Sequence, residues 1–319
     1  MGSTSNYAKK WQPTELLKKH IKFCTDEFLH KLIHTKLKVK RSLRPHMFTK
    51  NPANTVLVDI SIVKNFNFNS IFYLLMSTVD ITSNTLKVAI QNESSTDESL
   101  GRSYNVFCKL RSDERLRLGY NAYDMNAALQ SISLQLIRAS ESDYPTLWEY
   151  THDKKYKMWL RQEIANDLGI SVGEVKAKLT AFANGSVSEK NKHRYYKAFH
   201  EESDRLRREV LKHTSLREPD IMKRAIAQSR KPLPEEIDWT DTQSKEMTKD
   251  MRSKASVFFF VWTWYERQIR QAMLTVLTDG IELHDAVYSK MSVEPCIIEK
   301  AIFNRTGFRV IIDVERPRS

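Results

Sequence analysis

Two lone aspartates stand out by type and setting. In Gly280 to Lys290 (GIELHDAVYSK) a polar His284-Asp285 pair interrupts a short apolar strand pattern, where an ionic group has no place in a core without a reason. Far upstream, Asp124 in YNAYDMNAALQ sits between a strand-like and a helix-like stretch. Carboxylates are hard oxygen donors of the kind Mg²⁺ takes. Asp is equally at home in a turn, as at 285, or capping a helix, as at 124. Both readings stand on local pattern alone.

The elements that would carry these residues follow from periodicity. Thr14 to Leu43 repeats apolar residues at three- and four-residue steps, an amphipathic helix with a Lys-rich outer face. Strands are expected at Thr55 to Val63, Leu86 to Ile90, Tyr104 to Leu110 and Leu116 to Tyr123, with a helix over Phe66 to Asp80 and a polar linker at Asn92 to Gly101. A helix from Met125 to Ser140 has Asn126 as its expected cap. Further helices are expected at Trp148 to Leu168, Val172 to Ala183 (halted by Asn184-Gly185), Ser188 to His213 and Thr242 to Thr278. Arg230 to Asp241 reads as loop, Ile281 to Ser289 as a hairpin, Glu294 to Phe303 as a helix and Phe308 to Val314 as a closing strand.

Composition narrows the class. A chain of 319 residues with 28% charged residues fits a helix-rich globular protein of one or two domains. Net charge is +12, of which +9 falls in residues 1 to 50, enough to hold a polyanion by counterion release. Cys24, Cys108 and Cys296 are far apart and lack CxxC spacing, which argues for reduced thiols and against a zinc site. The longest apolar run, Val257 to Trp264, is too short to span a bilayer. With no signal peptide before the basic N-terminus, a soluble cytoplasmic protein without membrane contact is the expectation.

From Gly101 onward the order is strand, Asp, helix; basic helix ending Asn-Gly; long helix; His-Asp hairpin; helix; strand. This order resembles the palm and fingers of the family A nucleic-acid polymerases and of the bacteriophage-type and mitochondrial single-subunit RNA polymerases, over about the last two thirds of the chain. The resemblance implies an α+β fold, mostly helical with a small antiparallel palm sheet and a right-hand polymerase-like architecture. Residues 1–100 would form a basic, mainly helical region, thumb-like or template-binding. Residues 101–319 would form the palm (101–140 and 278–319) with inserted fingers (about 141–277).

It also implies roles for residues. Asp124 and Asp285 would be the metal-binding carboxylates for two Mg²⁺ (or Mn²⁺) ions, and His284, beside Asp285 in the family's His-Asp signature, would fix the hairpin and the primer end. Lys176 matches the fingers lysine that binds the triphosphate, with Lys178 and Thr180 as supporting contacts, and Gly185 falls on the family spacing. Asn184 stands where the family has Tyr, and Val172 where it has a basic residue. Arg102 and Arg115 occupy positions where the family carries basic residues facing template or nucleotide. Leu129, followed by Gln130, replaces the Glu by which family A DNA polymerases exclude a ribose 2′-hydroxyl, which leans towards ribonucleotides.

The activity implied is template-directed nucleotidyl transfer, with RNA primer synthesis on a DNA template, by a DNA primase or single-subunit RNA polymerase acting in replication, as the leading expectation. A family A-like DNA polymerase of a mobile element or virus, template-independent addition, and a non-catalytic nucleic-acid binding protein with a palm-like fold are the alternatives. Partners would be the DNA template, nucleoside triphosphates and a helicase or replication initiator. In that setting Lys36, Lys38, Lys40, Arg41 and Arg44 would track a phosphate backbone, with an affinity that falls steeply with salt.

Overall fold

Alternation of β-branched and polar residues starts the described fold, in a computed structural model that describes residues 54–82, 84–90, 105–229 and 242–317. The protein is α+β, mostly helical with small sheets, as expected. It divides into two compact units. Over the described residues one holds 54–90, 105–121 and 315–317, and the other 122–314.

The first unit is a sheet with helices. Strands β1 (Asn54–Asp59), β2 (Thr78–Thr82) and β3 (Thr85–Ile90) form an antiparallel sheet in the order β1-β3-β2. The strand expected to run on to Val63 stops at Asp59, whose carboxylate accepts the Ser61 amide at 2.7 Å and starts helix α1 (Ile60–Val63). Helix α2 (Phe68–Met76) is shorter than expected, because Thr78–Thr82 pairs with β3 instead.

The two strands expected between Tyr104 and Tyr123 are the main correction: the first does not form among the described residues, and the second begins only at Asn121. Val106–Lys109 is a 3-10 turn and Ser112–Arg117 is helix α3. The physical reason is Glu114, 2% exposed. Its carboxylate accepts the backbone amides of Asn67 (2.7 Å) and Arg111 (2.8 Å), the Asn67 side-chain amide (2.8 Å) and the Ser70 hydroxyl (2.5 Å). A carboxylate buried in that way needs all its donors, and the helix that replaces the expected turn at Arg111 to Glu114 presents it to them.

The second unit holds, but for the end residues Asn121 and Glu315, a sheet of order β5-β6-β4-β7, made of β4 (Asn121–Met125), β5 (Ile281–Leu283), β6 (Ala286–Ser289) and β7 (Ile312–Glu315). Strands β5 and β6 are an antiparallel hairpin, as expected, with a two-residue turn at His284 and Asp285. Around the sheet lie α4 (Ala128–Leu136), α5 (Pro145–His152), α6 (Lys154–Leu168), α7 (Val172–Ala183), α8 (Arg194–Arg217), α9 (Pro219–Ser229), α10 (Thr242–Leu274) and α11 (Pro295–Thr306). Ile132, Leu160, Ile164, Phe199, Val261, Trp262, Ile269, Val287 and Ile298 form a common core.

Helix α8 spans Arg194–Arg217 where Ser188 to His213 was expected, and the closing strand forms only over Ile312–Glu315; two further differences have a visible cause. The segment Trp148 to Leu168 breaks at Asp153, which accepts the amides of Lys155 (2.7 Å) and Tyr156 (3.1 Å) and so caps α6. Asn126 does not cap α4. Ala127 precedes that helix in a left-handed conformation (φ 46°), while the Asn126 side chain donates to the Thr151 carbonyl at 3.1 Å.

Gly280, at the entry to β5, is needed for space. A Cβ there would lie 2.5 Å from Leu274 Cδ2, 2.7 Å from Val287 Cγ1 and 2.8 Å from the Leu277 carbonyl. The backbone contact cannot move aside as a side chain can. Gly280→Ala should therefore destabilise the protein by about 1–3 kcal/mol, read as a lowered midpoint in urea unfolding.

Candidate active site

Strand β4 lies between β6 and β7, and this topology decides what Asp124 meets. Asp124 is the penultimate residue of β4, and Asp285 is the second turn residue ahead of β6. The Met125 amide donates to the Asp285 carbonyl at 3.2 Å, joining the turn to the end of β4. On the other side the Asn126 amide donates to the Ile311 carbonyl at 2.9 Å, which brings Asp313 of β7 alongside. Residues far apart in the chain thus share one end of a sheet.

Their charges act on one another. Asp124 keeps accessible surface yet is crowded by protein atoms, as a side chain in a recess is. Loss of water first, then the Asp285 carboxylate and, more weakly, that of Asp313, push its pKa up to about 7, against the opposing charges of Lys176 and Lys157. Lys176 projects from α7, whose start is set by a capping box between Ser171 and Glu174. Lys157 is buried, its charge disfavoured first by that burial, and its ammonium donates to the Asn126 side-chain carbonyl. Asp313 is held by Lys154 at 2.8 Å.

This donor set fits a hard divalent cation. Asp124 and Asp285 offer oxygen only, and their mutual repulsion is relieved when a cation binds between them. Among the described residues no group of three or more His, Cys, Asp or Glu could hold a metal by itself. A carboxylate pair completed by water and substrate phosphates is the usual Mg²⁺ arrangement.

The hairpin turn is held from behind. Arg270 of α10 is 0% exposed and pairs with Glu266 at 2.8 Å and with Glu282 of β5 at 3.3 Å. It also donates to the His284 carbonyl. Gln271 donates to the other Glu282 oxygen at 2.5 Å. His284 itself has φ 48°, a left-handed conformation that costs a non-glycine residue energy and persists only under restraint.

The other expected residues are placed as follows. Lys178 forms an ion pair with Glu189, whose pKa its two lysine partners, Lys178 first and Lys192 second, lower to about 2. The Thr180 hydroxyl donates to the Lys176 carbonyl at 2.9 Å, and the Asn184 side chain to the Thr180 carbonyl at 2.9 Å. Gly185 has φ 99° and ends α7 as expected. Leu129 and Gln130 are buried in α4. Arg115, in the first unit, donates to the Phe107 and Leu110 carbonyls at 2.9 and 2.7 Å. Arg102, Lys36, Lys38, Lys40, Arg41 and Arg44 lie outside the described residues. Sequence reasoning passed over Asp313, Lys157 and Arg270. Asp313 had a signal, an acid inside the apolar run FRVIIDV; Arg270 shows only as an i,i+4 partner of Glu266 in an apolar helix.

No family model and no curated protein matches the chain. A solved structure described as the POL domain of Pol1 from M. smegmatis in complex with DNA primer-template and dNTP is similar at 13% identity and a TM-score of 0.39, over 80% of this chain and 50% of that one. The chain thus spans about half the length of that protein chain.

Two outcomes follow from the geometry. Asp124's folded pKa lies above its unfolded value of 3.8, so its contribution to stability is present at low pH and is lost as pH rises through about 7. Thermal melts of the metal-free protein should therefore fall between about pH 4.5 and about pH 8, and Asp124→Asn should reduce that fall and abolish any stabilisation by added Mg²⁺. Arg270→Met should cost about 3–5 kcal/mol in denaturant unfolding, because it leaves Glu266 and Glu282 buried without their cation.

Proposed function

We propose that this protein is a template-directed nucleotidyltransferase that extends a 3′ end by two-metal chemistry, and that its natural reaction is RNA primer synthesis on a DNA template. The observation that carries the reading is that Asp124 of β4 and the Asp285 turn meet at one end of a sheet, with Lys176 of α7 near enough for its charge to act on Asp124. The resemblance of the three motifs supports the same reading. Residues 101–140 and 278–319 would be the palm, and about 141–277 the fingers.

In this reaction a bond forms between the 3′ oxygen and the α-phosphorus, the bond to pyrophosphate breaks, and the 3′ hydroxyl loses its proton. Asp124 and Asp285 would hold two Mg²⁺ or Mn²⁺ ions, which supply activation of the attacking hydroxyl and stabilisation of the leaving pyrophosphate. Lys176, exposed on α7, adds a positive charge for the phosphates and compensates charge developing on the leaving group. His284 and Arg270 keep Asp285 at the end of β4. Position 129 carries no acidic side chain to exclude a 2′-hydroxyl, which supports ribonucleotide use.

Incubation with a single-stranded DNA template, Mg²⁺ and either rNTPs or dNTPs tests the reading. Unprimed incorporation of rNTPs is expected. Asp124→Asn and Asp285→Asn should each reduce turnover by about a thousand-fold or more with template binding retained, and Lys176→Ala by about a hundred-fold. Extension only with dNTPs from a supplied primer would sink the primase reading and leave the polymerase class standing. Synthesis unaffected by either Asp substitution would show that the metal site is misplaced. Template binding with no incorporation of either nucleotide would identify a binding protein instead.

A further inference from the structure

The geometry points to a stacking platform for single-stranded nucleic acid on α6 and the first turn of α8, formed by Tyr156, Trp159 and Tyr195. Tyr156 and Trp159 lie three residues apart on one face of α6, with ring centroids 5.5 Å apart and planes tilted by 41°. Trp159 meets Tyr195 edge-on, at 5.6 Å and 76°. Neither pair stacks face to face, so ring surface is left over, and Trp159 is 45% exposed. Tyr156 and Tyr195 are half-buried with one side packed against the core, while Trp159 stands outside it with its ring at the surface.

The charges around the rings favour a polyanion. Arg194 lies over the Tyr195 ring at 4.6 Å and is exposed, as are Lys155 and Lys197 on the same helical turns. The nearby acids are mostly engaged: Asp167 pairs with His193 at 2.9 Å, Glu189 with Lys178 and Lys192, and Glu149 bonds to Tyr156. Glu163, half-buried one turn beyond Trp159, is the exception. The exposed Trp159 ring, beside a Tyr195 ring already covered by Arg194 and flanked by His193, matches unstacked bases joined by phosphates, and a duplex hides its base faces from it.

The platform is anchored to the carboxylate site. Lys154, at the start of α6, pairs with Asp313, and Lys157 bonds to Asn126. His193 fixes the other side, since its Nδ1 accepts the Tyr195 amide at 3.2 Å while its Nε2 faces Asp167. Tyr156, Trp159 and both of these lysines belong to α6, so one helix links the platform to the segment that carries Asp124. As the path of a template the proposal rests on the nucleotidyltransferase reading; as a binding site it does not need catalysis.

The test therefore uses the full chain carrying Asp124→Asn, without metal, and fluorescence anisotropy of a labelled oligo-dT at roughly physiological salt. Adding Trp159→Ala should weaken binding about ten-fold or more, Trp159→Phe should retain most of it, and binding of a blunt duplex should change less. Thermal melts confirm the fold, and Trp159→Ala with Tyr195→Ala should weaken the oligonucleotide further. Affinity within about two-fold of the parent in that double variant overturns the platform, as does a concentration-dependent dimer lost in Trp159→Ala with oligonucleotide affinity unchanged. Absence of nucleotide incorporation by the unsubstituted protein, with this binding intact, would fault the catalytic reading alone.

Discussion

A guanidinium with no water around it fixes where Asp285 stands. Arg270 cannot shed its charge, and burial strips it of solvent, so its position is dictated by the partners that compensate it. Two are the carboxylates of Glu266, one turn earlier on α10, and Glu282 on β5; the third is the carbonyl of His284. Such a cluster adds little net stability over an apolar replacement of similar shape, because desolvation offsets most of the attraction. What it supplies is position. The long helix and the hairpin can meet in only one register without orphaning a buried charge, and that register places the turn against the end of β4.

The turn needs this restraint. His284 adopts a backbone conformation that glycine takes freely and histidine takes at a cost. A relaxed turn would swing Asp285 away from Asp124, which is also where electrostatics would send it, since the two carboxylates repel. The site therefore holds two unfavourable features, a strained turn and a like-charge pair, against a rigid background. Gly280 contributes to that background by letting β5 start in close contact with Leu274, Leu277 and Val287. Local instability maintained by the surrounding packing is the pattern expected where charge is kept in readiness for a cation.

Much of this could be read in the sequence, and the failures have a common cause. The hairpin, the helix ending at Asn184-Gly185 and the long helix were legible because periodicity and turn residues are local signals. The stretch from Tyr104 to Tyr123 was misread because Glu114, a charged residue that looks like surface, is a buried acceptor for groups near residue 67, which no local pattern reveals. Asp124 and Asp285 could be proposed from their settings, but their meeting depends on the sheet order. Asp313 was passed over for the same reason. Its strand looked like a closing edge, and only its place beside β4 gives its charge a target.

Helix α6 shows how a charged surface helix can serve two purposes. Its inner lysines are engaged, Lys154 by Asp313 and Lys157 by Asn126, so the helix is locked to β7 and to the segment leaving β4. Lys154 and Asp313 keep partial exposure, so the value of their pair lies less in stability than in orientation. Because α6 is held at that end, any face it presents is held in a fixed relation to the carboxylates. Tyr156 and Trp159 lie on such a face, and the capping carboxylate of Asp153 sets the first turn, from which Tyr156 projects, with Trp159 one turn on. Pinning one end of α6 to the sheet therefore gives its outer rings a defined place near the chemistry, which a loop of the same composition would not.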